Sequence, residues 1–233
     1  MADLAEFQQN IGIKFQSPSL LETALTHSSF INESSGTSIE SNERLEFLGD
    51  AILGLVVAEK LYQDFSDFSE GEMTKLRSAL VRRDTLARVA RAIRLGDFLY
   101  MGKGEEASGG RDKTANLAGA LEAVIAAVSL DRGAAITSEF VLKLLGEEMV
   151  KVVSQGMAAD YKSRLQELMQ SRGQSPPTYR LIEASGPDHD KIFTVEVMAG
   201  DMVLGSGTGK SKKLAETEAA RSALERFASG FTE

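Results

Sequence analysis

The hydrophobic pattern of this chain changes its period near residue 160, and that change limits the folds available to it. Before this point, apolar residues recur at helical spacing with short breaks, and no alternation is long enough to build a sheet. After it, a helix that ends near Gly173 precedes three segments of strand character and one further helix. The sequence therefore predicts an all-helical domain followed by an α-β-β-β-α domain, which is an α + α/β two-domain fold.

The limits of the two domains follow from the same pattern. Strands are predicted at 178–184, 191–198 and 202–205, and the last helix at 211–227. The short stretch 155–159 separates the two patterns and is predicted to be a linker. We therefore expect a helical domain at 1–155, a linker at 156–159 and an α/β domain at 160–229.

The composition excludes several chemistries. The chain has no cysteine, which rules out disulfides, thiolate metal sites and cysteine nucleophiles and is typical of a protein in a reducing cytoplasm. Its N-terminal residues lack the basic and apolar segments of a signal peptide. Because no run of about 18 apolar residues occurs, we expect no segment to span a membrane.

The net charge of −8 argues against a nucleic-acid partner, but the charge is unevenly distributed. Residues 160–233 carry 10 basic and 11 acidic side chains, whereas residues 1–159 carry 16 basic and 23 acidic ones. An acidic metal-binding domain beside a locally basic RNA-binding domain would give this distribution. An ordinary acidic protein would give it as well, and charge alone favours that second interpretation.

One predicted helix carries an isolated pair of carboxylates. Between residues 45 and 57 the only charged side chains are Glu46 and Asp50, which are four residues apart and share a helical face, with Glu43 one turn earlier. Such a pair is costly to bury unless a cation compensates, and Mg²⁺ prefers carboxylate oxygens. The pair indicates either a metal site or a polar stripe that faces solvent.

A second predicted helix repeats this pattern. Between residues 114 and 130 the only charged side chain is Glu122. If the two helices pack side by side, Glu46, Asp50 and Glu122 could converge on one metal ion. The sequence alone does not establish that they do.

Residues 42–50, NERLEFLGD, resemble the signature motif of the ribonuclease III family. The resemblance continues in the segments 25–29, 73–77, 102–105 and 109–111. It implies an all-helical endonuclease domain that uses Mg²⁺-activated water to hydrolyse double-stranded RNA, leaves 5′-phosphate and 3′-hydroxyl ends, and processes rRNA and mRNA precursors. By this resemblance Asp50 and Glu122 are catalytic, and Glu46 joins them as a metal ligand.

The chain departs from the family pattern at one position. The resemblance implies an aspartate three residues before Glu122, where this sequence has Gly119. Water could fill the gap, or Glu43 or Asn116 could compensate. This departure also keeps open an alternative function, a non-catalytic RNA-binding protein with the same fold.

The glycine-rich segment 205–211 suggests a third possible function, nucleotide hydrolysis. The phosphate-loop pattern needs a glycine five residues before Gly209, and this chain has Leu204 there, so we expect no nucleotide cofactor. Three lysines, Lys210, Lys212 and Lys213, lie at the start of the last helix, where cations oppose the helix dipole. They are explained either by an anion that docks there or by a solvated lysine cluster.

The segment 207–216, together with the α-β-β-β-α order, resembles the double-stranded RNA-binding domain. This resemblance implies that Gln166 and Gln170 lie at one minor groove and that His189 lies at the next, near a ribose 2′-hydroxyl. The three lysines would then bind phosphates across the intervening major groove. Taken alone, the two glutamines are equally consistent with solvated helix surface.

Cleavage of both strands of a duplex requires two sets of carboxylates, and each chain has one. We therefore expect a homodimer with two-fold symmetry. Phe47 matches the family position that inserts into the partner subunit. The alternative is that Phe47 belongs to the core of its own chain.

Overall fold

The protein is described here by a computed structural model, which covers residues 3–33, 40–66, 68–187 and 191–228, with the backbone alone at 154–160. The chain divides into two compact units, Met1–Val152 and Val153–Glu233. The first is helical, and the second contains a three-stranded sheet. The predicted two-part fold class is confirmed.

The helices of the first unit differ widely in length. Two short 3-10 helices, Leu95–Phe98 and Gly110–Asp112, lie in its connecting segments. The α-helices are α1 (Leu4–Ile11), α2 (Pro18–Ala24), α3 (Ser28–Glu33), α4 (Glu43–Asp64), α5 (Glu70–Val81), α6 (Arg83–Ala92), α7 (Lys103–Ala107) and α8, which begins at Thr114.

Helix α8 passes through the core of the first unit. Its side chains Leu117, Leu121 and Ile125 are buried, as are Leu53 and Val57 of α4. The segment Thr114–Val153 is long and apolar enough to cross a membrane, judged by length and composition only. However, 67% of its most apolar window is buried within the protein, as expected for the core helix of a folded domain.

The element α8 spans Thr114–Ser171 but consists of two helical segments that meet at a kink at Gly133, whose backbone is not helical (φ 80°, ψ 173°). It therefore crosses the boundary between the two units. The predicted linker at 156–159 is helical in backbone, because it contains one glycine, no proline and two alanines, and nothing in it ends a helix.

The second unit has the predicted order of helix, three strands and helix. The end of α8 precedes β1 (Thr178–Ser185), β2 (Ile192–Ala199) and β3 (Met202–Gly209), and α9 (Lys212–Ala228) follows. The strands form an antiparallel sheet in the order β1-β2-β3. Side chains from both helices and from β2 and β3 form its core, including Leu165, Met169, Val195, Leu204 and Ala219.

Strand β3 extends four residues beyond its predicted end, through a glycine-rich segment. Gly205, Gly207 and Gly209 face α9, and a Cβ atom on Gly207 would lie 2.2 Å from the backbone nitrogen of Ala219. Glycine is normally a poor strand former. Here it is required because the strand and the alanine-rich face of α9 are in backbone contact.

Candidate active site and RNA-binding surface

Helices α4 and α8 come into backbone contact at one point. A Cβ atom on Gly49 would lie 1.8 Å from the carbonyl oxygen of Glu122 and 3.0 Å from its Cα atom. No side chain fits there, so glycine is what allows the two helices to approach so closely. Glu46 lies one turn before this contact on α4, and Asp50 follows it directly.

A second contact lies one turn away on both helices. A Cβ atom on Gly119 would lie 2.6 Å from Oε2 and 3.0 Å from Oε1 of Glu46. Residues 46 and 49 of α4 therefore face residues 119 and 122 of α8. The side-by-side packing that the sequence left open is present, and it brings Glu46 and Asp50 to the same part of α8 as Glu122.

Two of the carboxylates act on the third, Glu122. Glu122 is half-buried, and its desolvation, followed by the negative charges of Asp50 and Glu46, raises the pKa of the Glu122 carboxyl to about 7. Arg83 acts in the opposite direction and lowers this pKa. None of the three carboxylates accepts a hydrogen bond or forms an ion pair with another residue in the described part of the chain.

Arg83 was missed by sequence reasoning. It is the first residue of α6, and its side chain is exposed while its charge acts on Glu122. The basic pair Arg82-Arg83 is visible in the sequence, but nothing local connects it to a carboxylate 39 positions later. Only the packing of α6 near α8 reveals this neighbour.

The donor chemistry of the three carboxylates fits a hydrated divalent cation. Within the described residues, no three Asp, Glu or His side chains form a ready-made metal-binding group. Mg²⁺ does not require one, because it usually binds one or two carboxylates and keeps several of its waters. The unpartnered oxygens of Glu46, Asp50 and Glu122 could hold such an ion, which would offset their mutual repulsion.

Neither residue suggested as compensation for Gly119 lies over it. The Asn116 amide donates to Glu105 Oε1 at 2.8 Å and to the Gly110 carbonyl at 2.9 Å. Glu43 accepts a hydrogen bond from Ser41 Oγ at 2.7 Å. The group that occupies the space over Gly119 is the carboxylate of Glu46.

His27 is held in place by hydrogen bonds to Ser29. Its Nδ1 accepts a hydrogen bond from the backbone N–H of Ser29 at 3.2 Å and lies 2.8 Å from Ser29 Oγ. Ser29 Oγ also accepts from the Gly102 N–H at 3.0 Å. These bonds hold the segment before α7 against α3, and we assign His27 no chemical role.

The raised pKa of Glu122 predicts how the metal-free protein responds to pH. Because the folded pKa is about 7 and the ordinary value is 4.5, the folded state binds more protons between these values. The free energy of unfolding should therefore fall as the pH rises from about 4.5 to about 7. Above about pH 7, Glu122 should add little further change. Urea unfolding in EDTA checks this, and Glu122→Gln should remove the Glu122 contribution to this fall. Equal pH dependence in both proteins would contradict it.

Phe47 is 83% exposed on α4, so the alternative that it belongs to the core of its own chain is wrong. Leu130 of α8, 57% exposed, lies with it at the edge of a surface cavity of about 720 Å³. Large exposed apolar residues beside an open cavity are typical of an interaction surface. The cavity is lined by Leu20, Thr23, Glu40, Ser41, Glu43, Arg44, Leu45, Phe47, Leu48 and Leu130.

The predicted RNA-binding residues lie on the surface of the second unit wherever they are described. Gln166 and Gln170 are exposed, whereas Leu165 and Met169 of the same helix are buried. His189 lies outside the described residues.

The lysine cluster is also exposed and lies where α9 begins. Lys212 is the first residue of α9, and Lys210 and Lys213 are exposed beside it. Ser211 Oγ accepts a hydrogen bond from the Leu214 N–H at 3.2 Å, which caps the helix. Lys212 and Lys213 form no ion pair with any described residue, so their charges are available to an external anion.

Two family models match the chain. Residues 17–149 match the model described as Ribonuclease-III-like, and residues 161–226 match the double-stranded RNA binding motif. The first match covers the carboxylates of α4 and α8, and the second covers the sheet and the lysines of α9.

Characterised relatives and solved structures agree with these matches. The chain is 52% identical over 233 residues to Ribonuclease 3 of Dehalococcoides mccartyi strain CBDB1, covering 100% of this chain and 98% of the relative. Ribonuclease 3 of Caldanaerobacter subterraneus is 48% identical over 224 residues, covering 96% and 98%. A structure of the nuclease domain of ribonuclease III from Campylobacter jejuni matches with a TM-score of 0.58 and 40% identity, over 62% of this chain and 97% of that one. The chain therefore belongs to the ribonuclease III family, with a Ribonuclease-III-like domain followed by a double-stranded RNA binding motif.

Proposed function

We propose that this protein is a cytoplasmic, Mg²⁺-dependent endoribonuclease that cuts double-stranded RNA as a homodimer and acts on rRNA and mRNA precursors. One observation carries the proposal most strongly. Glu46, Asp50 and Glu122 meet at the contact between α4 and α8 without hydrogen-bond or ion-pair partners in the described chain. The double-stranded RNA binding motif at 161–226 provides the matching substrate class.

The proposed chemistry divides between the cation and the chain. Bound Mg²⁺ would supply an activated water and charge stabilisation for in-line attack at phosphorus, leaving 5′-phosphate and 3′-hydroxyl ends. The chain would hold the ion through Glu46, Asp50 and Glu122. A cation beside Glu122 would also keep that carboxyl ionised near neutral pH, where burial and its neighbours otherwise favour protonation.

The second unit would bind double-stranded RNA whatever the nucleotide sequence of the duplex. Gln166, Gln170 and His189 are the residues proposed to contact minor grooves, and Lys210, Lys212 and Lys213 those proposed to contact phosphates. The exposed positions of the five described residues are compatible with these roles. Binding and cleavage would then depend on different parts of the chain.

The homodimer would place two carboxylate sets on the two strands. Its support in this chain is the exposed Phe47 beside the cavity of about 720 Å³. A two-fold axis would let each Phe47 enter the cavity of the other subunit, because such interfaces pair the same patch with itself. The Campylobacter jejuni structure concerns a region involved in dimer formation of its nuclease domain.

Phe47→Ala is expected to shift the RNA-free protein towards monomer. Loss of a buried aromatic anchor costs on the order of 2 kcal/mol, or roughly thirtyfold in the dimer dissociation constant. Sedimentation equilibrium at micromolar concentration measures this. Val150→Ala, at a position 71% exposed on α8, is the control and should leave the dimer intact. A monomeric wild-type protein would remove the proposed dimer altogether.

A cleavage assay on duplex RNA with and without Mg²⁺ tests the proposed function as a whole. We expect Mg²⁺-dependent cuts whose products can be ligated through their 5′-phosphate ends. Duplex binding without cleavage at any Mg²⁺ concentration would instead identify a non-catalytic RNA-binding protein. Hydrolysis of free nucleotide without RNA cleavage would identify the third alternative, which Leu204 disfavours.

A further inference from the structure

Gly119, like Gly102 beside Glu33, is packed against a carboxylate, but at Gly119 no backbone atom is among the three nearest atoms. The three atoms nearest to its ideal Cβ position all belong to the carboxylate of Glu46, at 2.6, 2.7 and 3.0 Å. At Gly49 and Gly96 the nearest atoms are backbone carbonyl groups of another segment, which cannot move without moving a helix or a turn. The space over Gly119 is therefore occupied by a charged group on a flexible side chain.

Nothing else in the described chain fixes the Glu46 carboxylate. It accepts no hydrogen bond and forms no ion pair there, so steric fit over Gly119 determines where it lies. A cavity of about 160 Å³ borders both residues and is lined in part by His27, Asn42 and Asn116. A side chain at position 119 could displace the carboxylate into this cavity without moving the backbone.

We propose that Gly119 is a positioning residue for the cation site. By having no side chain, it allows the Glu46 carboxylate to lie against α8, one turn from Glu122, and so it sets the affinity for the divalent cation. The inference rests on the proposed metal-dependent function. It adds that the position over residue 119 must contain a carboxylate, which in this chain is supplied from α4.

Gly119→Ala tests this directly. The added methyl group displaces the Glu46 carboxylate, and we expect the Kd for Mn²⁺, measured by EPR on the RNA-free full-length dimer, to rise on the order of tenfold. Gly146→Ala is the matched control, because Gly146 is a helical glycine of α8 beyond the kink at Gly133 and a Cβ atom there has nothing within 4 Å. Its Kd should be unchanged. Melting temperatures in EDTA should not fall for either variant, since alanine is the better helix former.

Gly119→Asp separates loss of the carboxylate from steric disturbance. It places the same Cβ atom against Glu46 but brings its own carboxylate into the space, three residues from Glu122 on the same helical face. We expect Mn²⁺ binding near the wild-type value. Equal weakening by Ala and Asp, an unchanged Kd in Gly119→Ala, or equal weakening in Gly146→Ala would each overturn the inference. If wild type itself bound no Mn²⁺, the proposed metal-dependent function would fail, and the inference with it.

Discussion

Glu122→Gln should lower the rate of duplex RNA cleavage by roughly 10³-fold or more while leaving duplex affinity nearly unchanged. Glutamine keeps the size of the side chain but removes one of the three negative charges that are proposed to hold the cation. The backbone of Glu122 also packs directly against Gly49 of α4, which fixes where the Glu122 side chain begins. All the predicted RNA-binding residues belong to the second unit, whereas Glu122 belongs to the first.

Single-turnover cleavage at saturating protein and a gel-shift titration without Mg²⁺ measure the two effects separately. Glu139→Gln is the matched control, because Glu139 is an exposed glutamate of α8 beyond the kink at Gly133 and its replacement should change neither quantity. If affinity and cleavage fell in parallel in Glu122→Gln, binding and cleavage would not depend on different parts of the chain. The variant should also be more stable than wild type in EDTA above about pH 7, because one buried repulsive charge is gone.

The double variant Lys212→Ala, Lys213→Ala is expected to weaken binding to every duplex, whatever its sequence. Each lysine that neutralises a phosphate releases counterions, so the slope of log affinity against log salt should become shallower by about 2. The physical basis is that both ammonium groups are exposed at the start of α9 and have no ion-pair partner in the described chain.

Filter binding across a series of salt concentrations, on two duplexes of unrelated sequence, provides the measurement. Lys212→Arg with Lys213→Arg keeps both charges and should retain the wild-type slope. An unchanged slope in the alanine variant would mean that these lysines do not contact phosphate. A loss confined to one duplex would mean that they read sequence or shape instead.

Local sequence patterns predicted most of the architecture because they depend on neighbouring residues. The change of period near residue 160 gave the helical first unit and the α-β-β-β-α second unit correctly. The isolated carboxylates of residues 46, 50 and 122 were visible because the surrounding helices are otherwise uncharged. The exposed position of Phe47 was expected from the family resemblance alone, because a helical phenylalanine is usually buried and no local pattern marks this one as exposed.

What the sequence could not provide depends on contacts between distant segments. The backbone contact between Gly49 and Glu122 joins residues 73 positions apart, and no periodicity encodes it. The influence of Arg83 on Glu122 and the carboxylate over Gly119 have the same origin. In the sequence, Gly119 is only a position that lacks the expected aspartate. The structure shows that the Glu46 carboxylate lies where a side chain at position 119 would be.

The glycines of β3 also have a consequence for how the RNA-binding unit folds. A strand whose inward positions are Gly205, Gly207 and Gly209 has little intrinsic tendency to persist, so it depends on α9 packing against it. In turn, the buried alanines of α9, among them Ala215, Ala219 and Ala223, pack directly against this strand. Strand and helix must therefore form together, and partial opening of this region should be rare in hydrogen exchange. The lysines at the start of α9 are then either held in place by the sheet or released with the whole unit.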